Sequence, residues 1–255
     1  MSKICSIMQP TYIPWLGYFD LIDRADTFVF YDDVQIVKQS WGIRNRIKSA
    51  NGPVYLSVPI VKEKHHTERT FINSKLDYNQ DWVKKHLDTI RLSYKKAPYF
   101  NEVFPLIEDK MQTKPETLGI LNISIIRMLV EYLGLSTEFV FSSELKNITG
   151  KKESRLIQIC NKLNADFYLS PQGSSQYIEH NQPGGQFSDS EVDLYYQNFE
   201  HPVYPQLWGE FVSHLSIIDV LMNCGKEETL KLLRSGQKPN YHFTTFRKKQ
   251  LGLTD

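Results

Sequence analysis

Nowhere in the 255 residues do 18 apolar side chains run together, so no segment has the length to span a bilayer as a helix. The opening residues, MSKICSIMQP, hold too short an apolar stretch for a secretory leader. Cysteine is scarce: Cys5, Cys160 and Cys224 lie far apart, without C-x-x-C spacing. That scatter argues against a disulfide framework and predicts a reducing compartment, and without cysteine spacing the histidines are not expected to form a zinc site. Neither sign of charge dominates, with 30 Lys plus Arg against 29 Asp plus Glu, so the basic excess of a DNA-coated or membrane-surface protein is missing. No G-x-S-x-G elbow is present, which removes support for that class of hydrolase. Internal repeats and low-complexity segments are absent. A cytoplasmic protein with no DNA partner and no membrane insertion is expected.

What is present is an ample core and many aromatics: 41% hydrophobic residues, with 14 Tyr and 14 Phe, many beside Gln, Asn, Pro and Gly. A tyrosine offers a flat apolar face with a polar tip, which suits sugars and bases. Residues 3–8, KICSIM, read as a short buried strand. PWLGYFDLIDRA then sets Trp15, Tyr18, Phe19, Ile22 and Ala25 at helical spacing, with Pro14 suited to the first helical position. DTFVFYDD follows as a second strand, completing a βαβ unit. SWGIRNRIKSANGPVYLSVPIV alternates on both sides of Asn51-Gly52, a hairpin pattern. KEKHHTER reads as a polar loop, and helices are expected from 81 to 133, the last closing at Gly134. TEFVFSS, DFYLS and VDLYYQNF read as further strands, KKESRLIQICNKLNA as a helix, and SHLSIIDVLMNCG as a helix ending at Gly225. The pattern predicts an α/β fold with an open, mostly parallel sheet and a β-hairpin. It predicts a single domain over 1–235 with a helical insertion at about 80–134, and a loosely ordered tail over 236–255.

In such sheets ligands collect beyond the carboxyl ends of strands, where strand order reverses. That rule selects the turn QPTYIP after the first strand, with Gln9, Pro10, Thr11 and Tyr12, and the helix start beyond it, with Trp15, Gly17 and Tyr18. A helix N-terminus there favours phosphate. After the second strand, Asp32 and Asp33 are candidate bases, and Lys38, Arg44 and Arg46 follow; the two arginines share the i, i+2 face of a strand and would grip a phosphate. SPQGSSQYI, with Gln172, Ser174 and Tyr177, is glycine- and hydroxyl-rich but lacks both the G-K-[ST] ending and G-x-G-x-x-G. HPVYPQLW crowds His201, Tyr204, Gln206 and Trp208 into eight residues. His201, beside a proline and with a pKa near neutrality, is the candidate general base there; His214 ranks below it, and His65 and His66 fall in a polar loop.

The blocks QPTYIPWLGYFDLI with FVFYDDVQ, SWGIRNRIK with LSVPI, and HPVYPQLWGEFVSHLSIIDVLMNCG resemble the WbqC-like proteins of bacterial polysaccharide gene clusters. YLSPQGSSQYI matches that family more loosely. The resemblance implies a part in making O-antigen or related lipopolysaccharide glycans, by acyl or aminoacyl transfer to the amino group of a nucleotide-linked amino sugar. It implies an activated donor such as acyl-coenzyme A. A remoter likeness is to the nucleotidyltransferases of the HIGH-motif superfamily, a Rossmann-like fold. Where those carry H-x-G-H, this chain reads Trp15, Leu16, Gly17 and Tyr18, keeping only the glycine, which would allow close backbone approach to a ligand. Three readings therefore stand: a transferase acting on an amino sugar, a nucleotidyltransferase-like enzyme activating a small acid or sugar phosphate, and a non-catalytic sugar-nucleotide-binding protein.

Overall fold

A computed structural model describes residues 2–37, 39–62 and 69–250. Lys38, His65 and His66 lie outside the described residues, as does most of KEKHHTER. Strand β1 (Ile4–Met8) leads through the QPTYIP turn into helix α1 (Leu16–Arg24) and strand β2 (Thr27–Phe30). The hairpin is β3 (Arg44–Ser49) with β4 (Gly52–Ser57), antiparallel from Arg44↔Ser57 to Ser49↔Gly52. The expected insertion is α2 (Trp82–Tyr94), α3 (Phe100–Gln112) and α4 (Leu118–Leu133). Thr117 caps α4 by accepting from the Ile120 amide, and Gly134 ends it in the left-handed region at φ 76°. Then come β5 (Glu138–Phe141), α5 (Lys152–Lys162), β6 (Phe167–Ser170), the one-turn helix α6 (Ser175–Ile178) and β7 (Asp193–Tyr196). The chain continues through α7 (Ile217–Ser235) to β8 (Tyr241–His242) and α8 (Phe243–Gln250).

Six strands form one sheet in the order β5-β2-β1-β6-β7-β8. The first five run parallel, and β8 joins β7 antiparallel at the edge. Successive strand side chains face opposite ways, and this sorts the core into two layers. Phe28 and Phe30 pack with α1, α7 and the insertion, whereas Cys5, Ile7 and Val29 pack with Leu156 and Cys160 of α5 and with Phe246 of α8. The fold is thus the expected α/β sheet, Rossmann-like, with a hairpin and a helical insertion.

Local differences from the sequence expectation have identifiable causes. The α1 helix starts at Leu16 with Trp15 as its cap, two residues beyond Pro14, whose carbonyl accepts from Ile217 of α7 instead. Gly225 does not end α7; it interrupts the helix at φ 75°, ψ 177°, with the Tyr99 ring in the space a side chain would fill. The segment after Ser235, expected to be loose, is ordered to residue 250. Tyr241 and His242 pair with Tyr196 and Tyr195, and Phe246 buries against Tyr196 with ring centroids 4.4 Å apart. Phe246, with Tyr241 and Phe243 packed beside it, anchors an otherwise polar tail, a feature that periodicity over so short a stretch does not register. Among the described residues no helix is long and apolar enough to cross a membrane.

Candidate functional site

The strand order reverses between β1 and β6, since β1 connects toward β2 on one side and β6 toward β7 on the other. A cavity of about 890 Å3 opens there, beyond the carboxyl ends of the strands. Gln9 and Thr11 come from the turn after β1, Tyr31 from the end of β2, Gln172 and Ser174 from the turn after β6, and Gln197 from the end of β7. Trp15, Trp41, Tyr168, Tyr177 and Phe199 give it flat aromatic walls. Lys152, at the start of α5, is its lysine, and the salt bridges among the described residues do not include it.

The turn after β1 is held by side chains that reach in from distant segments. Asn122 of α4 donates to the carbonyls of Pro10 and Gly42, both at 2.8 Å. Asn45 of β3 donates to the carbonyls of Tyr12 at 3.1 Å and Ile13 at 2.8 Å. Buried carbonyls need such donors, and these pin Ile13 in the left-handed region at φ 40°, a conformation rare for a β-branched residue. Two residues of the cavity wall, Lys152 at φ 50° and His214 at φ 57°, share that region. Such strain persists only where the surroundings over-determine the backbone.

Trp15 packs at the centre of the constellation. Its indole covers Gly17 so closely that a Cβ there would lie 2.2 Å from a ring carbon. The close approach expected at Gly17 is therefore made by Trp15 rather than left open to a ligand. The indole lies parallel to His201, with ring centroids 6.0 Å apart, and tilted on His214 at 4.9 Å. The two imidazoles are themselves 4.9 Å apart. His201 Nδ1 lies 2.9 Å from the Pro202 carbonyl and carries the hydrogen, since a carbonyl only accepts. Burial lowers the pKa of both histidines, aided by the His214 ring at His201 and by Arg46 at His214. Both rings are thus held toward the neutral form. His214 lines the cavity, whereas His201 stands behind Trp15.

The other expected residues separate into two groups. Gln9, Thr11, Gln172, Ser174 and Tyr177 line the cavity, and Tyr18 and Arg46 line a smaller recess continuous with it. Pro10 and Tyr12 face the core, where the Tyr12 hydroxyl meets His86 Nδ1 at 2.9 Å. Arg44 stacks over Tyr55 at 4.7 Å and lies outside the cavity lining. Tyr204 and Gln206 belong to a buried network on Asp219, which accepts from Tyr94 at 2.7 Å, Tyr204 at 3.0 Å and Gln206 at 2.9 Å. Lys48 completes it, bonding to Gln206 Oε1 at 3.2 Å and to the Gly209 and Glu210 carbonyls.

Asp32 and Asp33, expected as bases, do not line the cavity. Asp32 Oδ1 accepts from the Ser143 amide at 3.0 Å, and Oδ2 from the Ser143 hydroxyl at 2.8 Å. Asp33 pairs with Arg155 and takes a bond from the Ser142 hydroxyl at 2.6 Å. The Arg155 guanidinium in turn lies over the Tyr31 ring at 5.2 Å, so the acidic pair clamps the turn after β5 and backs one cavity wall. Burial pushes the Tyr31 phenol up to about 12, keeping it protonated. Tyr18 and Arg46 therefore share the recess, His201 packs behind Trp15, and Asp32 lies outside both linings.

Lys152, Tyr31, Trp41 and Gln197 line the cavity without having been singled out from the sequence. Tyr31 and Gln197 each follow a strand directly, so the carboxyl-end rule would have found them. Lys152 and Trp41 reach the cavity only through tertiary placement of α5 and of the loop before β3.

The model of the WbqC-like protein family matches residues 9–231, a span that runs from the turn after β1 into α7. "Uncharacterized protein Rv1507c" of Mycobacterium tuberculosis (strain ATCC 25618 / H37Rv) is 34% identical over 230 residues, covering 89% of this chain and 96% of that protein. No solved structure matches the chain. The match takes in the turn after β1, the hairpin, the turn after β6 and the His201–His214 segment together, and on that extent the chain belongs to the WbqC-like protein family.

Proposed function

We propose that the chain is a transferase of bacterial surface-polysaccharide (O-antigen) assembly, which binds a nucleotide-linked amino sugar and moves an acyl or aminoacyl group to the sugar's amine. The observation that carries this reading is the 890 Å3 cavity at the strand-order reversal, with aromatic walls and a lysine among its lining residues. Flat apolar faces suit a base and a sugar ring. Lys152, on the cavity wall and outside the salt bridges among the described residues, suits the diphosphate. An amine attacks only when neutral, so a base must take its proton. His214, held toward the neutral form on the cavity wall, fills that role, and His201 packs behind it as a positioning residue. The sugar nitrogen attacks the acyl carbon, an N–C bond forms, and the bond to the leaving thiol of an acyl-coenzyme A or similar donor breaks. His214 takes the amine proton and the leaving group departs with the electron pair.

The test is a thermal-shift screen of the full chain with uridine-diphosphate amino sugars, acyl-coenzyme A compounds, and nucleoside triphosphate with magnesium. A ligand that binds only the native state raises the melting temperature by mass action. Stabilisation by the amino-sugar nucleotide, followed by a mass increase on that sugar when donor is added, is expected. Stabilisation by triphosphate with magnesium alone would replace this reading with an acid- or sugar-activating nucleotidyltransferase. Binding of the amino-sugar nucleotide with no donor able to modify it would leave a non-catalytic binding protein.

A further inference from the structure

Beside the main cavity lies a recess of about 260 Å3 with a chemistry of its own. Met8, Trp15, Tyr18 and Trp41 make its walls apolar and mostly aromatic. Several of its polar atoms are engaged elsewhere. Asn45 donates to the Tyr12 and Ile13 carbonyls and accepts from the Arg46 amide at 2.8 Å. The Tyr18 hydroxyl donates to the Gln9 carbonyl at 3.2 Å, and that of Thr11 lies 3.4 Å from the same oxygen. Arg46 brings the recess its guanidinium. One of its terminal nitrogens donates to the Ser213 carbonyl at 3.2 Å, but Nε is buried without a hydrogen-bond partner. Among the described residues no carboxylate lies within ion-pair distance of it. The other titratable groups facing the recess are His214 and Tyr18, and neither supplies an anion: burial and Arg46 hold His214 toward neutrality, and burial keeps the Tyr18 phenol protonated.

A guanidinium withdrawn from water loses hydration that only an anion or a set of acceptors restores. Here one half-buried guanidinium lines an otherwise apolar slot and, among the described residues, has no carboxylate partner. We propose that this recess is the binding site of a small monocarboxylic acid with an apolar body, its carboxylate held by Arg46. One cation matches one negative charge, and a guanidinium meets a carboxylate in planar, two-point geometry. A phosphate dianion would bring twice the charge to the same single cation. An α-amino acid would bring an ammonium group, and no acidic side chain lines the recess to receive it. The volume and the indoles of Trp15 and Trp41 in its lining fit an aliphatic chain or a single ring. An acid seated there would adjoin whatever occupies the main cavity, because Met8, Thr11, Trp15, Trp41 and His214 line both. The inference rests on the recess alone and stands whether or not the cavity beside it takes a nucleotide sugar.

The experiment is isothermal titration of the full chain with butyrate, benzoate, glycine and inorganic phosphate, with no nucleotide present. Saturable binding of butyrate or benzoate, with phosphate and glycine weaker, is expected. In Arg46→Gln the affinity for the bound acid falls about tenfold to a hundredfold, the loss of charge-assisted contacts to one carboxylate. The wild-type ranking needs no variant, so it decides the matter even if Arg46→Gln fails to fold. Absence of saturable binding by either apolar acid, tighter binding of phosphate or glycine, or unchanged affinity in a folded Arg46→Gln would each overturn the proposal.

Discussion

Removing the Asp32 carboxylate tests whether the acidic pair after β2 performs chemistry or holds the turn after β5. The group is 3% exposed and accepts from the Ser143 amide, the Ser143 hydroxyl and, at 3.0 Å, the Ser142 hydroxyl. Ser142 has one hydroxyl hydrogen for both Asp32 and Asp33, so that bond is shared rather than added. Hydrogen bonds to a charged acceptor contribute about 1.5–3 kcal/mol each, and Ser143, being exposed, recovers part of its loss in water. Asp32→Ala should therefore cost about 2–4 kcal/mol, less than the sum of its bonds. Asp32→Asn keeps the shape and the acceptor for the Ser143 amide, and should cost about 1–2 kcal/mol through lost charge. Urea unfolding followed by circular dichroism reads both. The Ala midpoint should fall by about 1 M with the slope unchanged, as for a loss of stability without a change in surface exposed. Affinity for a cavity ligand should stay within about twofold, because Asp32 does not line that cavity. If Asp32→Ala unfolded at the wild-type midpoint while catalysis or ligand binding disappeared, the clamp assignment would be refuted and the carboxylate would be chemical.

Three further variants probe the same architecture. Gly17→Ala drives a methyl group into the Trp15 indole and should cost about 1–3 kcal/mol. It should also change the near-ultraviolet circular dichroism of the Trp15–His201–His214 stack; an unaltered spectrum at full stability would contradict the packing. Lys48→Met removes the donor to Gln206 and the 209–210 carbonyls from a site 2% exposed, and should cost about 2–4 kcal/mol, with faster amide exchange over 206–213. Exchange unaffected in that segment would count against Lys48 as its anchor. His86 is buried, its Nδ1 on the Tyr12 hydroxyl, and burial lowers its pKa from 6.5 to about 4. A neutral ring in the fold that charges more easily when unfolded stabilises above pH 6.5, and this contribution is lost as pH falls toward 4. At about 1.4 kcal/mol for each pH unit, the contribution amounts to about 3 kcal/mol. His86→Gln should be less stable than wild type at pH 7.5, and the difference should shrink between pH 6.5 and 4; a constant difference would show that His86 does not carry the pH dependence.

The elements were legible because they rest on local pattern. Alternating Phe and Val in DTFVF, the helical spacing after Trp15, and the closing Gly134 act within a few residues of themselves, and each element appears where its pattern places it to within two residues. The turns after β1 and β6 were legible as cavity walls for a related reason: parallel strands put their carboxyl ends on one edge of the sheet. Misplaced residues share a different property. QPTYIP puts six residues at the right edge, but which of them face the cavity depends on Asn45 and Asn122, from β3 and α4, reaching in to hold the carbonyls. Asp32 and Asp33 stand at the right strand end yet turn to Ser142, Ser143 and Arg155, more than a hundred residues away.

The sequence by itself therefore determined most of the strands and helices before Gly225 and which edge of the sheet bears the cavity, because periodicity and capping are energies of neighbouring residues. Only the tertiary structure decided that Arg46 and His214 face a shared hollow while Asp32, Tyr204 and Gln206 serve as internal ties. That choice is made by partners brought close in space, since a buried polar side chain turns to whichever donor or acceptor the packed fold presents.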